Sequence, residues 1–127
     1  MIKKKYELTD ETIKVDRITL YCIHALKDFG DVKKGDLGGF IENENNLSYD
    51  GNCWIGDYAC VYDDAKVYEN AQVSGGAFIS GNAKIYDSPL ISIREKVGGN
   101  AKIYGYAFIH GNAEIINDET ITTGERQ

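Results

Sequence analysis

From Ile55 to Ile121 every sixth residue of this chain is Ile or Val: Ile55, Val61, Val67, Val73, Ile79, Ile85, Ile91, Val97, Ile103, Ile109, Ile115 and Ile121. Two positions ahead of each stand Cys53, Ala59, Ala65, Ala71, Ala77, Ala83, Pro89, Glu95, Ala101, Ala107, Ala113 and Glu119, so nine of the twelve are Ala or Cys. A branched residue and a small one therefore repeat together. Written out, the unit is an aliphatic residue, Tyr or Ser, Gly or an acid, Asn, Ala and a variable residue, as in Ile79-Ser80-Gly81-Asn82-Ala83-Lys84. Gly and Asn adopt positive φ cheaply and make corners, whereas β-branched residues make short strands. Each hexad is one strand and one corner. Three corners close a triangle, so about 18 residues form one coil, and roughly four coils at about 4.8 Å stack into a prism on the order of 20 Å tall. The expected fold is all-β, a single-stranded parallel β-helix.

Residues 1–46 do not follow this repeat. They read as short strands, Lys5 to Leu8, Thr12 to Val15 and Ile18 to Leu26, the last two joined near Asp16-Arg17. A β-hairpin cap over 1–46 is expected, because the open end of a solenoid exposes strand edges that must be covered. Gly30, Gly35, Gly38 and Gly39 punctuate a loop, after which Leu47 and Tyr49 fit the small and aliphatic slots of a first, imperfect hexad. The helix is thus expected over 47–121, with a short polar tail at 122–127.

A chain of 127 residues leaves room for one compact domain or a short capped array. No stretch approaches the roughly 18 consecutive apolar residues needed to span a bilayer, and the basic start lacks the apolar run of a secretory signal. A soluble, cytoplasmic protein without a membrane partner is expected. Cys22, Cys53 and Cys60 have no CxxC or Cys/His spacing, so neither a disulfide framework nor a metal site is indicated, and buried reduced thiols are the expectation. The net charge of −6 is spread along the chain, which argues against nucleic acid as a partner.

Residues 18 apart stack, so the sequence folds onto three flat sides. One reads Lys66-Val67-Tyr68, Lys84-Ile85-Tyr86, Lys102-Ile103-Tyr104 and Thr120-Ile121-Thr122, a lysine ladder beside a tyrosine ladder. Stacked tyrosines and edge lysines are ordinary sheet chemistry, but the same ladders could hold a partner or an extended anionic ligand. Lys66, Tyr68, Lys84, Tyr86, Lys102 and Tyr104 are the candidate partner-binding residues. A second side, with Cys60, Phe78, Lys96 and Glu114 before its aliphatic residues, has no single character. The third reads Trp54-Ile55-Gly56, Gln72-Val73-Ser74, Leu90-Ile91-Ser92 and Phe108-Ile109-His110. Trp54, Leu90 and Phe108 form an apolar stripe there, expected to contact the cap or another subunit of a dimer or trimer.

The chain contains two histidines, His24 in the cap and His110 in an unbroken hexad. Both read as surface or packed side chains rather than as a general base. Glu95 in a small inward slot would carry a large desolvation cost, so its corner is expected to bulge and turn the carboxylate outward. No GxGxxG, P-loop, nucleophile elbow or ligand cluster is present, and no catalytic residue, cofactor or metal is expected.

Val/Ile, Gly, Asn and Ala at hexad spacing resemble the hexapeptide-repeat family, which implies a left-handed triangular β-helix. In acyltransferases of that family a histidine serves as general base, and acyl-CoA lies between subunits. The junction is narrower in its likeness. Asp28-Phe29-Gly30-Asp31-Val32, Gly35, Gly38-Gly39, Leu47-Ser48 and Gly51-Asn52-Cys53-Trp54-Ile55 resemble the cap-to-helix junction of YdcK-like β-helix proteins of bacteria and their phages. No long loop interrupts the coils, however, and such a loop usually accompanies the acyltransferase histidine. The expected function is a non-catalytic β-helix that presents a flat side to a protein partner, for instance a phage-encoded inhibitor of a host system such as CRISPR. An acyl-CoA-dependent acetyltransferase and a polymer-forming structural protein are the alternatives.

Overall fold

The computed structural model describes residues 4–126 and is an all-β parallel solenoid of about five turns. It opens with β1 (Tyr6–Val15) and β2 (Ile18–Ala25), paired antiparallel from Tyr6↔Ala25 to Val15↔Ile18. Asp16 and Arg17 between them both have positive φ, 49° and 73°, the backbone of a tight two-residue hairpin turn. The two segments expected on either side of residue 10 are one strand, with an irregularity in register between Leu8 and Thr12.

The third strand, β3 (Leu37–Ile41), changes the mode of pairing. It runs antiparallel to β2 on one edge and parallel to β5 (Cys60–Val61) on the other, with Phe40 opposite Cys60. Gly38 and Gly39 permit that approach, since a Cβ on Gly39 would lie 2.3 Å from the Ala59 carbonyl. Between β3 and β5 lies β4 (Trp54–Ile55). The remaining strands are β6 (Lys66–Val67), β7 (Gln72–Gly75), β8 (Phe78–Ile79), β9 (Lys84–Ile85), β10 (Leu90–Ile93), β11 (Lys96–Val97), β12 (Lys102–Ile103), β13 (Phe108–Gly111), β14 (Thr120–Ile121) and β15 (Glu125–Arg126). They form three sheets, β1-β2-β3-β5-β8-β11, β4-β7-β10-β13-β15 and β6-β9-β12-β14.

One more turn is present than the four expected, because Phe40, Ile41 and Leu47 belong to a rung of their own. Leu47 bridges to Val67 and Ile41 lies opposite Val61, a spacing of 20 residues instead of 18. The two extra residues fall in the turn between Leu47 and Ile55. Leu47, not Tyr49, consequently fills the inward aliphatic slot, while Tyr49 stacks on Tyr6 with ring centroids 4.6 Å apart. At the far end the spacing shortens to 17, with Phe108 opposite Glu125.

The core is the ladder itself. Each aliphatic residue from Ile55 to Ile115 is at most 1% exposed, and the alanines between them are 0–3% exposed. Small residues sit inward where the chain turns because a larger side chain from three corners at once would overfill the prism. The Pro89–Val97 coil departs from this pattern. Ile93 rather than Glu95 is buried, opposite Gly75 and Gly111, and the Glu95 side chain is half-exposed.

Candidate functional site

The β6-β9-β12-β14 sheet carries the first candidate surface. Its register sets Lys66, Lys84, Lys102 and Thr120 in one row, held by bonds such as Lys66 N–H to Ala83 O at 3.0 Å and Lys84 N–H to Ala101 O at 2.9 Å. All three lysines are exposed. Two residues along each strand, Tyr68, Tyr86 and Tyr104 are half-buried and stacked: both neighbouring pairs have centroids 4.9 Å apart, at 11° and 7°. That separation matches the rung spacing of a β-sheet, so the parallel rings pack on one another. Partial desolvation, with the adjoining ring, raises the pKa of Tyr68 and Tyr86.

A third row borders the tyrosines at the next corner. Glu69 and Asp87 occupy it with φ of 59° and 63°, and the Gly105 N–H donates to Asp87 Oδ2 at 3.0 Å. Partial desolvation and the neighbouring Asp87 carboxyl raise the pKa of Glu69. The face is therefore striped, with cations, aromatic rings and carboxylates in parallel rows whose successive members are one rung apart.

The β4-β7-β10-β13-β15 sheet separates the residues of the apolar stripe. Trp54 is buried, in an edge-to-face contact with Phe29 at 5.3 Å, whereas Leu90 and Phe108 are 47% and 38% exposed. Gln72 stands between Trp54 and Leu90, and its Nε2 donates to the Asn52 carbonyl at 2.7 Å. A groove of about 420 Å³ runs beside them, lined by Gly30, Asp31, Asn52, Trp54, Gln72 and Leu90 among others. His110 is not among its lining residues.

His24 Nδ1 lies 3.1 Å from Glu7 Oε1, its cross-strand neighbour in the hairpin. His110 stacks on Phe108 at 4.5 Å and 20°. Among the described residues no group of three or more His, Cys, Asp or Glu side chains converges on a metal position, and no helix is long and apolar enough to cross a membrane. The three cysteines are free and buried.

Three buried polar residues had no signature in the sequence. Asn46 is fully buried; its Oδ1 accepts from Glu42 N–H and Asn43 N–H, and its Nδ2 donates to Asp63 O and Ala65 O. Lys5 is fully buried against Cys53. Tyr6 is buried with its hydroxyl donating to Leu47 O at 2.6 Å. All three tie the N-terminal segment to the first rungs, and none lies in a pattern that local periodicity could flag.

No protein-family model matches the chain. Among curated proteins it is similar to an Escherichia coli K12 protein described as "Uncharacterized acetyltransferase YdcK", 36% identical over 66 aligned residues. The match covers 46% of this chain and 20% of that relative, so the chain spans about a fifth of the curated protein's length.

Proposed function

We propose that the chain is a non-catalytic binding module: a left-handed β-helix, capped by the β1–β2 hairpin, that presents its Lys/Tyr side to a protein partner in the cytoplasm. The observation that carries this reading is the in-register stack of Tyr68, Tyr86 and Tyr104. Such rings offer large contact area with few rotamers to freeze, the property that enriches tyrosine at interfaces. Neighbouring ammonium groups at about 4.8 Å repel by about 0.9 kcal/mol in water, which an acidic counter-surface relieves. Glu69 and Asp87 on the opposite flank would repel a polyanion. A protein surface carrying both signs fits the three stripes, and the net charge of −6 argues in the same direction against nucleic acid. Leu90 and Phe108 are the contacts through which a second copy would join, as a dimer or trimer. A phage-encoded inhibitor of a host system is one module of this kind.

Acetyl transfer is the second reading, favoured by the description of the E. coli relative. Calorimetric titration with acetyl-CoA separates the two. Micromolar binding, with turnover that His110→Ala abolishes, would overturn the binding-module reading. No heat of binding, together with one defined protein retained by the wild type and lost from both Tyr86→Ala and Lys84→Glu, supports it.

A further inference from the structure

Directly beneath the exposed turn Asp50 to Asn52, a lysine and a cysteine meet inside the molecule. Lys5 and Cys53 are both fully buried, and Nζ lies 3.3 Å from Cys53 Sγ. The ammonium also donates to the Cys53 carbonyl at 2.8 Å and the Gly51 carbonyl at 3.2 Å, and it sits 4.7 Å from the centroid of the Phe29 ring. A fully buried lysine is rare unless a structural or chemical reason keeps it there. All three thiols contact backbone carbonyls, Cys53 Sγ those of Ser48, Asp50 and Val67, Cys22 Sγ those of Ile23 and Gly38, and Cys60 Sγ that of Tyr58; at Cys53 the lysine is added to them.

We propose that Lys5 and Cys53 form an oxidant-driven covalent S–N cross-link between the start of the chain and the first long-range rung of the solenoid. The oxidant is a peroxide. Its O–O bond breaks as one oxygen passes to Cys53 Sγ, which is oxidised to the sulfenic acid while the peroxide is reduced and leaves as water. The lone pair of Lys5 Nζ then attacks the sulfur. The S–N bond forms, the S–O bond breaks, and the departing hydroxyl takes a proton from the amine as a second water. One peroxide is consumed, two waters are released, and the two side chains together lose two hydrogens. Desolvation lowers the pKa of Lys5, which favours the neutral amine that the second step needs; it also raises that of Cys53, so the first step starts from a thiol rather than a standing thiolate.

The link would close a segment of 48 residues and bind the N-terminal strand to the helix, so oxidation should raise the thermal midpoint reversibly. The test treats the full chain with hydrogen peroxide, blocks free thiols in denaturant without reductant, and digests with a Glu-specific protease for mass spectrometry. A peptide pair joined through Lys5 and Cys53 is expected, about 2 Da lighter than the sum of its parts and separated by dithiothreitol. Lys5→Gln and Cys53→Ser should each abolish it. Recovery of Cys53 as a free thiol, or as sulfinic acid with Lys5 unmodified, overturns the proposal without any variant having to fold.

Discussion

Asn46 is the side chain on which the junction between β3 and the coils depends most, and replacing it gives a prediction with two independent parts. All four hydrogen-bonding positions of its amide are used, at 3.1 and 3.0 Å to backbone N–H groups and at 3.3 and 2.9 Å to carbonyls. Asn46→Ala strands these partners beneath the surface. At about 1 kcal/mol each the loss is about 4 kcal/mol, a large share of the 5–15 kcal/mol typical of a domain, and it should lower Tm by about 15 °C. Asn46→Asp keeps the shape and both acceptor contacts, but turns a carboxylate oxygen toward the Asp63 and Ala65 carbonyls. Only the protonated acid can donate there, so the folded-state pKa rises above the unfolded value of about 3.9. A raised pKa contributes stability that is full below the unfolded value and is lost as pH rises through the folded one. The deficit relative to wild type should therefore be small near pH 3.5 and large at pH 7, read by urea denaturation at both. A deficit under about 1 kcal/mol for Asn46→Ala, or one for Asn46→Asp that does not change with pH, would refute the assignment.

Gly99 and Gly76 form a matched pair. Gly99 has φ +63° and an added Cβ would lie 2.5 Å from Asn117 O, so Gly99→Ala should cost about 2–3 kcal/mol; Gly76 has nothing within 4 Å, and Gly76→Ala should be neutral or stabilising by up to about 1 kcal/mol in the same denaturation assay. Tyr86→Ala removes the centre of the aromatic stack and should cost about 2 kcal/mol, one for each ring contact, while Tyr86→Phe should stay within about 0.5 kcal/mol. Burial pushes the Cys60 thiol up to about 11, so its contribution is present below the ordinary thiol range and lost as pH climbs through 11. Wild type should lose its advantage over Cys60→Ala between about pH 9 and 11, by about 2 kcal/mol, in chemical denaturation at matched pH.

The hexad made the repeating part of the fold legible because each position answers to a local demand. A β-branched residue makes the strand, a small residue leaves room inside, and Gly, Asn or Asp turns the corner, as Asp57, Asp63 and Asp87 do at φ of 53°, 58° and 63°. Stacking residues 18 apart thus identified the row of Lys66, Lys84 and Lys102 and the row of Tyr68, Tyr86 and Tyr104. The same method misjudged the start. Leu47 takes the aliphatic slot expected for Tyr49 because the first turn has 20 residues, and no residue near the turn announces two extra positions. Trp54 shows a related limit. Its outward position in the hexad is real, yet Phe29 covers it, a contact across 25 residues that periodicity does not encode.

Sequence alone determined the period, the inward ladder from Ile55 to Ile121 and the composition of the flat sides. These follow from nearest-neighbour backbone preference and side-chain size, repeated without interruption. Tertiary structure decided where the solenoid begins, how the antiparallel hairpin passes into parallel coils through Gly38 and Gly39, and which outward residues stay exposed. It also brought Lys5 to Cys53, Tyr6 to Leu47 and Asn46 to Asp63 and Ala65. Those contacts join segments 17 to 48 residues apart in sequence. Buried polar groups take whatever partners the folded chain puts within reach, and that selection is made only once the coils have closed.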